Sequence, residues 1–288
     1  MLGLLTRFAE DSPAVHVAPG NDFVIGGLHV TNSMFYGWIV TVLLVVLLVW
    51  AARKVKILPR RGPVQYVEAG VDFVRNLVIN SFDDRSVGRK YVPFFVTLFF
   101  IVLLNNWSGL IPGVGEPLQI HGHPLFRPFT ADLNATLAIG LVTMIYVYTA
   151  SVREVGGFRK YIKHFFIGSP LNPLYLVIGL IEMLTDLTRA LSLALRLFLN
   201  VTIGEIVISV FGFLGGMLAP YSILSPLTAV PFTLLELGVG ALQAYIFVIL
   251  GVNYLAIAVN SAHGHEELTD SPAEAAISTV AAKAEGSR

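Results

Sequence analysis

The sequence predicts an all-α polytopic membrane protein with five transmembrane helices, one amphipathic helix at the membrane surface, and two long, tilted final helices. Only 13% of its 288 residues are charged and 55% are hydrophobic, whereas about a quarter of a soluble domain is charged. The apolar residues form stretches of about 20 or more, the length of helix that crosses about 30 Å of hydrocarbon. These stretches, in chain order, are residues 34–52, 91–111, 131–151, 173–218 and 226–262.

The charge balance and the lack of cysteine exclude several functional classes. With 19 basic and 19 acidic residues, the chain has no overall field that would favour nucleic acid. Without cysteine it can form no disulfide, thiolate nucleophile or zinc ribbon. His121, His123, His263 and His265 fall in predicted loops or the tail, where surface histidines are commoner than a metal site, so we predict no metal and no cofactor. The N-terminus does not resemble a signal or transit peptide, which favours a bacterial cytoplasmic membrane.

The first span and the segment after it differ in character. Residues 34–52 are apolar throughout, with aromatic side chains near both ends that would anchor a helix at the two interfaces. A basic cluster follows. Residues 64–82 then mix apolar side chains with Glu68, Asp72 and Arg75 at helical spacing, which predicts an amphipathic helix lying on the membrane.

The last two apolar stretches are longer than a single crossing requires. As helices they would measure roughly 69 Å and roughly 55 Å. Each could fold back as a hairpin or form one strongly tilted helix. Apart from Pro231 neither contains an internal proline, and the pair Gly215 and Gly216 lies too near the end for a hairpin of two full spans. We therefore predict two single tilted helices.

The basic residues predict the orientation. Thirteen of the nineteen Lys and Arg residues lie within 53–90 or 153–163. The positive-inside rule then places the N-terminus outside and the C-terminus in the cytoplasm, with five crossings. We expect residues 1–33 to be an extracytoplasmic segment, 34–262 the membrane domain, and 263–288, which are small and polar, a disordered cytoplasmic tail.

Arg196 is the most informative residue, because it lies within the apolar run ALSLALRLFLNV of residues 190–201. A charge at the bilayer centre costs about 2.5–3.5 kcal/mol on insertion scales, and arginine cannot shed its proton to avoid that cost. The side chain must face a protein partner, a water-filled cavity, or both. The alternative is a structural salt bridge that holds two helices together. A function is favoured, because charged side chains within a membrane are functional by default.

Helical phasing groups the other polar residues of these two stretches. Glu182, Arg189, Ser192 and Asn200 all fall within about 40° of Arg196 at 100° per residue. Glu205 lies about 180° away and about 13 Å further along the axis, which predicts two polar regions at different depths. In the last helix Glu236, Gln243 and Tyr254 lie within about 20° of one stripe.

Several of these residues have structural alternatives. Glu182, Asp186 and Arg189 are close enough to pair along one helix. Glu236 has no basic neighbour in the sequence, so such pairing does not explain it, and a buried carboxyl there would suit proton exchange. Asp132 and Asn134 begin the third span, where capping explains Asp132 equally well.

The sequence resembles subunit a of the F-type ATP synthases, the stationary membrane subunit beside the rotating c-ring. The segment SLALRLFLNVTIGE is similar to the family signature SLxLRLFGNxxxGE, with Leu199 in place of the usual glycine. The resemblance extends over roughly residues 34–262. It includes LQAYIF at 242–247 with Tyr254 beyond it, FTADLNATLA at 129–138 and NNWSGLIPG at 105–113.

The resemblance implies a function for each polar group. Arg196 would be the essential arginine that faces the carboxylate of each passing c subunit. The half-channel from the outer side would be lined by Glu205, Glu236, Gln243, Asp132, Asn134 and Asn200. The half-channel to the cytoplasm would be lined by Glu182, Ser192 and Asp186, with Arg189 and Tyr254 nearby. The implied partners are the c-ring, the subunit b peripheral stalk and the lipid bilayer, with no small-molecule substrate except the transported ion, and ATP chemistry would belong to other subunits.

Two other functional classes are possible. A proton-linked secondary transporter would require repeat symmetry or interrupted helices around a midplane site, and the sequence shows neither. An intramembrane enzyme would require a Ser-His pair, paired aspartates or HExxH within a span. The chain contains no HExxH and its histidines avoid the spans.

Overall fold

The computed structural model describes residues 23–25, 28–54, 62–111, 114, 119–120, 123–124, 126–157, 173–218 and 227–269. Within these ranges the protein is built from six α-helices, and five of them are long and apolar enough to cross a membrane. The helices are α1 Asn32–Lys54, α2 Pro63–Asn80, α3 Arg85–Ser108, α4 Leu133–Glu154, α5 Pro173–Leu218 and α6 Val230–Thr269. This arrangement confirms the predicted fold class.

Two short antiparallel hairpins and one 3-10 turn complete the described elements. Strand β1 Phe23–Ile25 pairs with β2 Leu28–Val30, and β3 Gln119–Ile120 pairs with β4 His123–Pro124. A 3-10 helix, Phe129–Ala131, leads into α4. In both hairpins, backbone pairing satisfies polar groups of the chain outside the helices.

Capping residues explain where the helices begin. Helix α3 begins six residues before the predicted span, because the Asp84 side chain accepts a hydrogen bond from the backbone N–H of Ser86 at 2.7 Å. Helix α4 begins two residues later than predicted, after Asp132. Helix α6 begins at Val230 and not at 226, which places Pro231 in the first turn, where its missing N–H has no intrahelical partner to lose.

The two final helices are single and continuous. Helix α5 has 46 residues and α6 has 40, which correspond to roughly 69 Å and roughly 60 Å. Helix α6 extends to Thr269, beyond the predicted boundary at 262, because no proline interrupts the chain before Pro272. Residues 270–288 of the predicted tail lie outside the described residues.

Helix α2 is amphipathic, as its sequence predicts. Val74 and Val78 are buried against the other helices, whereas Tyr66 is 84% exposed. Asp72 and Arg75 form an exposed ion pair at 3.8 Å, which contributes little stability in water. The apolar side of α2 packs chiefly on α3.

The core lies where α3 and α6 pack together, with α2, α4 and α5 around them. Phe95 of α3 and Phe247 of α6 are fully buried there. An added Cβ at Gly251 would lie 3.1 Å from the ring of Phe95, so this glycine allows α3 and α6 to approach closely. Because lipid is as apolar as these side chains, close packing is what favours contact between the helices.

A polar contact joins the beginning of α3 to the end of α4. One carboxylate oxygen of Glu154 accepts a hydrogen bond from the Tyr91 hydroxyl at 2.8 Å and from the Lys90 ammonium at 3.1 Å. Tyr91 is buried and Lys90 is exposed. The carboxylate therefore fixes the two helix ends relative to each other.

Candidate functional site

The 3-10 helix Phe129–Ala131 is wedged between α1 and α3 at the start of α4. Phe129 occupies the space beside Gly37, where an added Cβ would overlap its ring. Pro128 lies against Gly109 in the same way, with its Cγ 2.6 Å from an added Cβ. Both glycines are needed because the turn lies in contact with the helix backbones.

Asp132 fixes the start of α4. Its Oδ1 accepts a hydrogen bond from the backbone N–H of Asn134 at 3.0 Å, and its Oδ2 accepts one from the Ser33 hydroxyl at 2.7 Å. The carboxylate is only 4% exposed. Asp132 is thus the N-cap that the sequence allowed, and it also joins α4 to α1. Asn134 itself is exposed.

Arg127 is a buried cation that the sequence reasoning did not single out. Its side chain is 3% exposed, and Nη2 donates a hydrogen bond to the backbone oxygen of Ala131 at 3.1 Å. Burial lowers the pKa of the Arg127 guanidinium, and the nearby charges of Glu205 and Asp132 raise it; arginine stays protonated. The available signal was an isolated Arg in the long loop between the second and third spans.

Glu205 and Glu236 come together across the interface of α5 and α6. Their charges lie within interaction range of each other, and Glu205 also lies within range of Arg127. Glu236 is buried and Glu205 is half-buried. The Glu236 carboxyl packs directly on Gly204, where an added Cβ would overlap it. A side chain larger than glycine at 204 would therefore displace the carboxyl.

Two amides on neighbouring helices continue this polar region. Asn106 of α3 donates a hydrogen bond from Nδ2 to the backbone oxygen of Gly240 at 3.3 Å. Gly240 lies between Glu236 and Gln243 on one stripe of α6. Gln243 is 4% exposed, and its Nε2 has no hydrogen-bond partner among the described residues. Such buried amide groups are suitable binding points for water.

The polar stripe of α5 lines an open groove between α5 and α6. The groove has a volume of about 690 Å³. Its polar lining residues are Thr188, Ser192, Arg196, Asn200 and Gln243. The structure thus places Ser192, Arg196 and Asn200, three of the residues that phasing grouped on α5, beside Gln243 of α6.

Arg196 lies on the surface of the chain, at the middle of this groove. It is exposed, and so are its apolar neighbours Leu199, Ile203 and Leu242, the last at 56%. Neither ion pair found in the described part of the chain includes Arg196. The chain therefore does not itself bury the guanidinium; it presents the guanidinium outward within an apolar surface.

The remaining residues of the predicted site are found further along the same two helices. The guanidinium of Arg189 lies over the ring of Tyr254, with 5.2 Å between its carbon and the ring centroid. Ser192 is exposed in the groove. The side chains of Glu182 and Asp186 lie outside the described part, so their pairing with Arg189 stays a prediction.

Among the residues that the structure describes, no group of three His, Asp or Glu side chains is arranged to hold a metal ion. The side chains of His123, His263 and His265 and the whole of His121 lie outside that part.

Residues 34–256 match the family model described as ATP synthase A chain. A protein named ATP synthase subunit a from Moorella thermoacetica is 31% identical over 251 residues, which are 87% of this chain and 99% of the relative. Another of that name from Sulfurihydrogenibium is 34% identical over 225 residues, 77% of this chain and 95% of the relative. One from Trichlorobacter lovleyi is 31% identical over 232 residues, covering 81% and 89%.

Proposed function

Because the chain belongs to the ATP synthase subunit a family, we propose that it is the stationary proton-conducting subunit of an F-type ATP synthase. It is a multi-pass membrane protein, and membership of this family favours the proposal over the two alternative classes that the sequence left open. The observation that most supports the proposal is Arg196, a permanent cation presented outward from an apolar groove. Such a charge needs a partner that brings an acid to it.

The c-ring supplies that acid in this proposal. Exposed apolar residues beside Arg196, among them Leu199 and Leu242, suit packing against the helices of a ring. A ring carboxylate is ionised while it faces Arg196, since an opposite charge at short range favours the ionised form. The neutral, protonated form can then rotate through lipid, where an ionised carboxylate would be too costly.

The outer half-channel in this proposal begins at Glu205 and Glu236. These carboxyls lie together at the α5–α6 interface, where a proton can pass between acids. Gln243 then continues the path into the groove, because it lines the groove beside Arg196 and Asn200. Asp132 and Asn134 lie at the outer edge, and Asp132 serves as the cap of α4 in addition.

The half-channel to the cytoplasm leads along the other end of the α5 stripe. Ser192 opens into the groove one turn from Arg196, and Glu182 and Asp186 follow toward the N-terminus of α5. A proton released there has crossed the membrane only by way of the ring. The fixed charge of Arg196 opposes a direct leak, which would waste about 2.3 kcal/mol per charge at 100 mV.

The proposal also includes the orientation of the subunit in the membrane and its place in the synthase. The N-terminus lies outside and the C-terminus in the cytoplasm of a bacterial cell, and the subunit b peripheral stalk holds the chain stationary. ATP chemistry takes place in other subunits. These points rest on the basic residues of the loops and on the family.

The test is ATP-driven proton pumping by inverted membrane vesicles that carry the assembled synthase with Arg196→Ala. We expect pumping to be abolished, because the cation at the middle of the groove, which stabilises the ring carboxylate, is lost. Arg75→Ala is the matched control, since Arg75 is an exposed arginine on α2 with only a weak ion pair. Normal pumping by the Arg196 variant, at normal levels of assembled complex, would refute the proposed function.

A further inference from the structure

The loop before α4 holds one cation in a rigid, buried place. Arg127 is 3% exposed and hydrogen-bonded to Ala131, which is itself fully buried. On one side the preceding residue, Phe126, packs its ring against that of Tyr36 at 5.7 Å. On the other side Pro128 lies against Gly109. The backbone on both sides of Arg127 is therefore anchored to α1 and α3.

A buried cation needs an anion, and two carboxylates lie within range of Arg127, namely those of Asp132 and Glu205. Both oxygens of Asp132 already accept hydrogen bonds, one from the Asn134 backbone and one from Ser33. Asp132 is thus held by α4 and α1. Glu205 is on α5, which the 3-10 helix following Arg127 also contacts. Glu205, on a different helix, is therefore the carboxylate near Arg127 that α4 and α1 do not hold.

We infer that Arg127 is a positioning residue for proton transport, the fixed counter-charge of Glu205 that keeps this carboxylate ionisable and aimed at Glu236. The inference rests on the proposed function, in which Glu205 receives protons from the outer side. A relay acid must give its proton up again after each transfer, and a carboxylate partly shielded from water does so poorly without a counter-charge. Arg127 acts on the path through Glu205 and does not itself carry a proton, since it remains charged.

The experiment is a double-variant cycle in the assembled synthase. ATP-driven proton pumping of inverted vesicles and heat resistance of the detergent-solubilised complex are measured for Arg127→Gln, Glu205→Gln and the pair together. Arg127→Lys keeps the charge. Tyr36→Phe is the matched control, because it removes a hydrogen bond to the Ser108 backbone at 3.0 Å from the same buried shell and leaves the charges in place.

We expect Arg127→Gln to slow pumping about tenfold, which corresponds to about 1.4 kcal/mol of coupling. In the Glu205→Gln background the same change should have little further effect, because its target is already lost. Arg127→Lys should recover much of the rate, and Tyr36→Phe should pump normally. Additive effects of the two substitutions on both pumping and heat resistance would overturn the inference, as would equal loss in Arg127→Lys and Arg127→Gln.

Two further outcomes are decisive. If Arg127→Gln prevents assembly, the exchange of Arg127→Glu with Glu205→Arg replaces it: recovered assembly relative to Arg127→Glu alone supports the pair, and no recovery overturns it. If Glu205→Gln pumps normally, the proposed function of Glu205 fails. The pairing with Arg127 is then decided by heat resistance alone, since a non-additive cycle supports it and an additive one contradicts it.

Discussion

Gly204 provides a sharp test of how α5 and α6 bring the carboxyls together. We expect Gly204→Ala to displace the Glu236 carboxyl, because the added methyl group would overlap all of its carboxyl atoms. Overpacking of this kind costs about 1–3 kcal/mol, whereas alanine gains about 1 kcal/mol over glycine in a helix. The same helix offers a matched control in Gly212, where an added Cβ would meet nothing within 4 Å.

The quantity to measure is the difference between Gly204→Ala and Gly212→Ala, since the gain in helix propensity is common to both. That difference should equal the overlap cost, about 1–3 kcal/mol, and appear as earlier heat-induced loss of the chain from the detergent-solubilised synthase. Proton pumping should fall in Gly204→Ala alone. Glu236→Asp should partly restore stability in that variant, because it shortens the side chain by one methylene group.

Equal stability and equal pumping in the two alanine variants would refute the reasoning, because the close packing of Glu236 on Gly204 would then have no consequence. Restoration of Gly204→Ala by Glu236→Asp has a further use. It separates a steric effect on the carboxyl from a general change in the packing of α5 against α6.

Two other predictions concern contacts that hold the bundle together. Asp132→Ala should destabilise the chain by about 1–2 kcal/mol through loss of the α4 cap, and Ser33→Ala should destabilise it by less. Heat denaturation of the complex measures both effects. A larger effect of Ser33→Ala would contradict the assignment of Asp132 as the cap. Tyr91→Phe should cost about 1.5–3 kcal/mol, because it removes a part-buried hydrogen bond to the Glu154 carboxylate. Lys90→Met should cost at most about 1 kcal/mol, because Lys90 is exposed. The same assay compares them, and a greater loss in the lysine variant would show that charge dominates at this contact.

The sequence was sufficient for much of the fold. Hydropathy located all five spans, because a lipid core accepts only long apolar helices. It also showed that α5 and α6 are single helices, since few residues within them could end a helix. The exact ends of the helices were harder to predict. Helix α3 begins six residues before the predicted span because of the Asp84 cap, which hydropathy does not detect.

The candidate site was predictable only within each helix. The period of 3.6 residues groups Ser192, Arg196 and Asn200 on one face of α5, and the structure places all three in one groove. The same reasoning could not show that the groove is open and that Arg196 lies on the surface of the chain. Whether a face is covered depends on where the neighbouring helix lies.

The sequence by itself determined which segments are long and apolar enough to cross a membrane, which polar residues share a helix face, and that Arg196 lies within an apolar run. Only the tertiary structure decided which helices meet, and so brought Glu236 onto Gly204, Ser33 to Asp132 across 99 residues, and Arg127 within range of Glu205. The reason is physical. Apolar helix faces are equally compatible with lipid and with one another, so hydropathy does not choose between partners, and close packing and polar contacts make the choice.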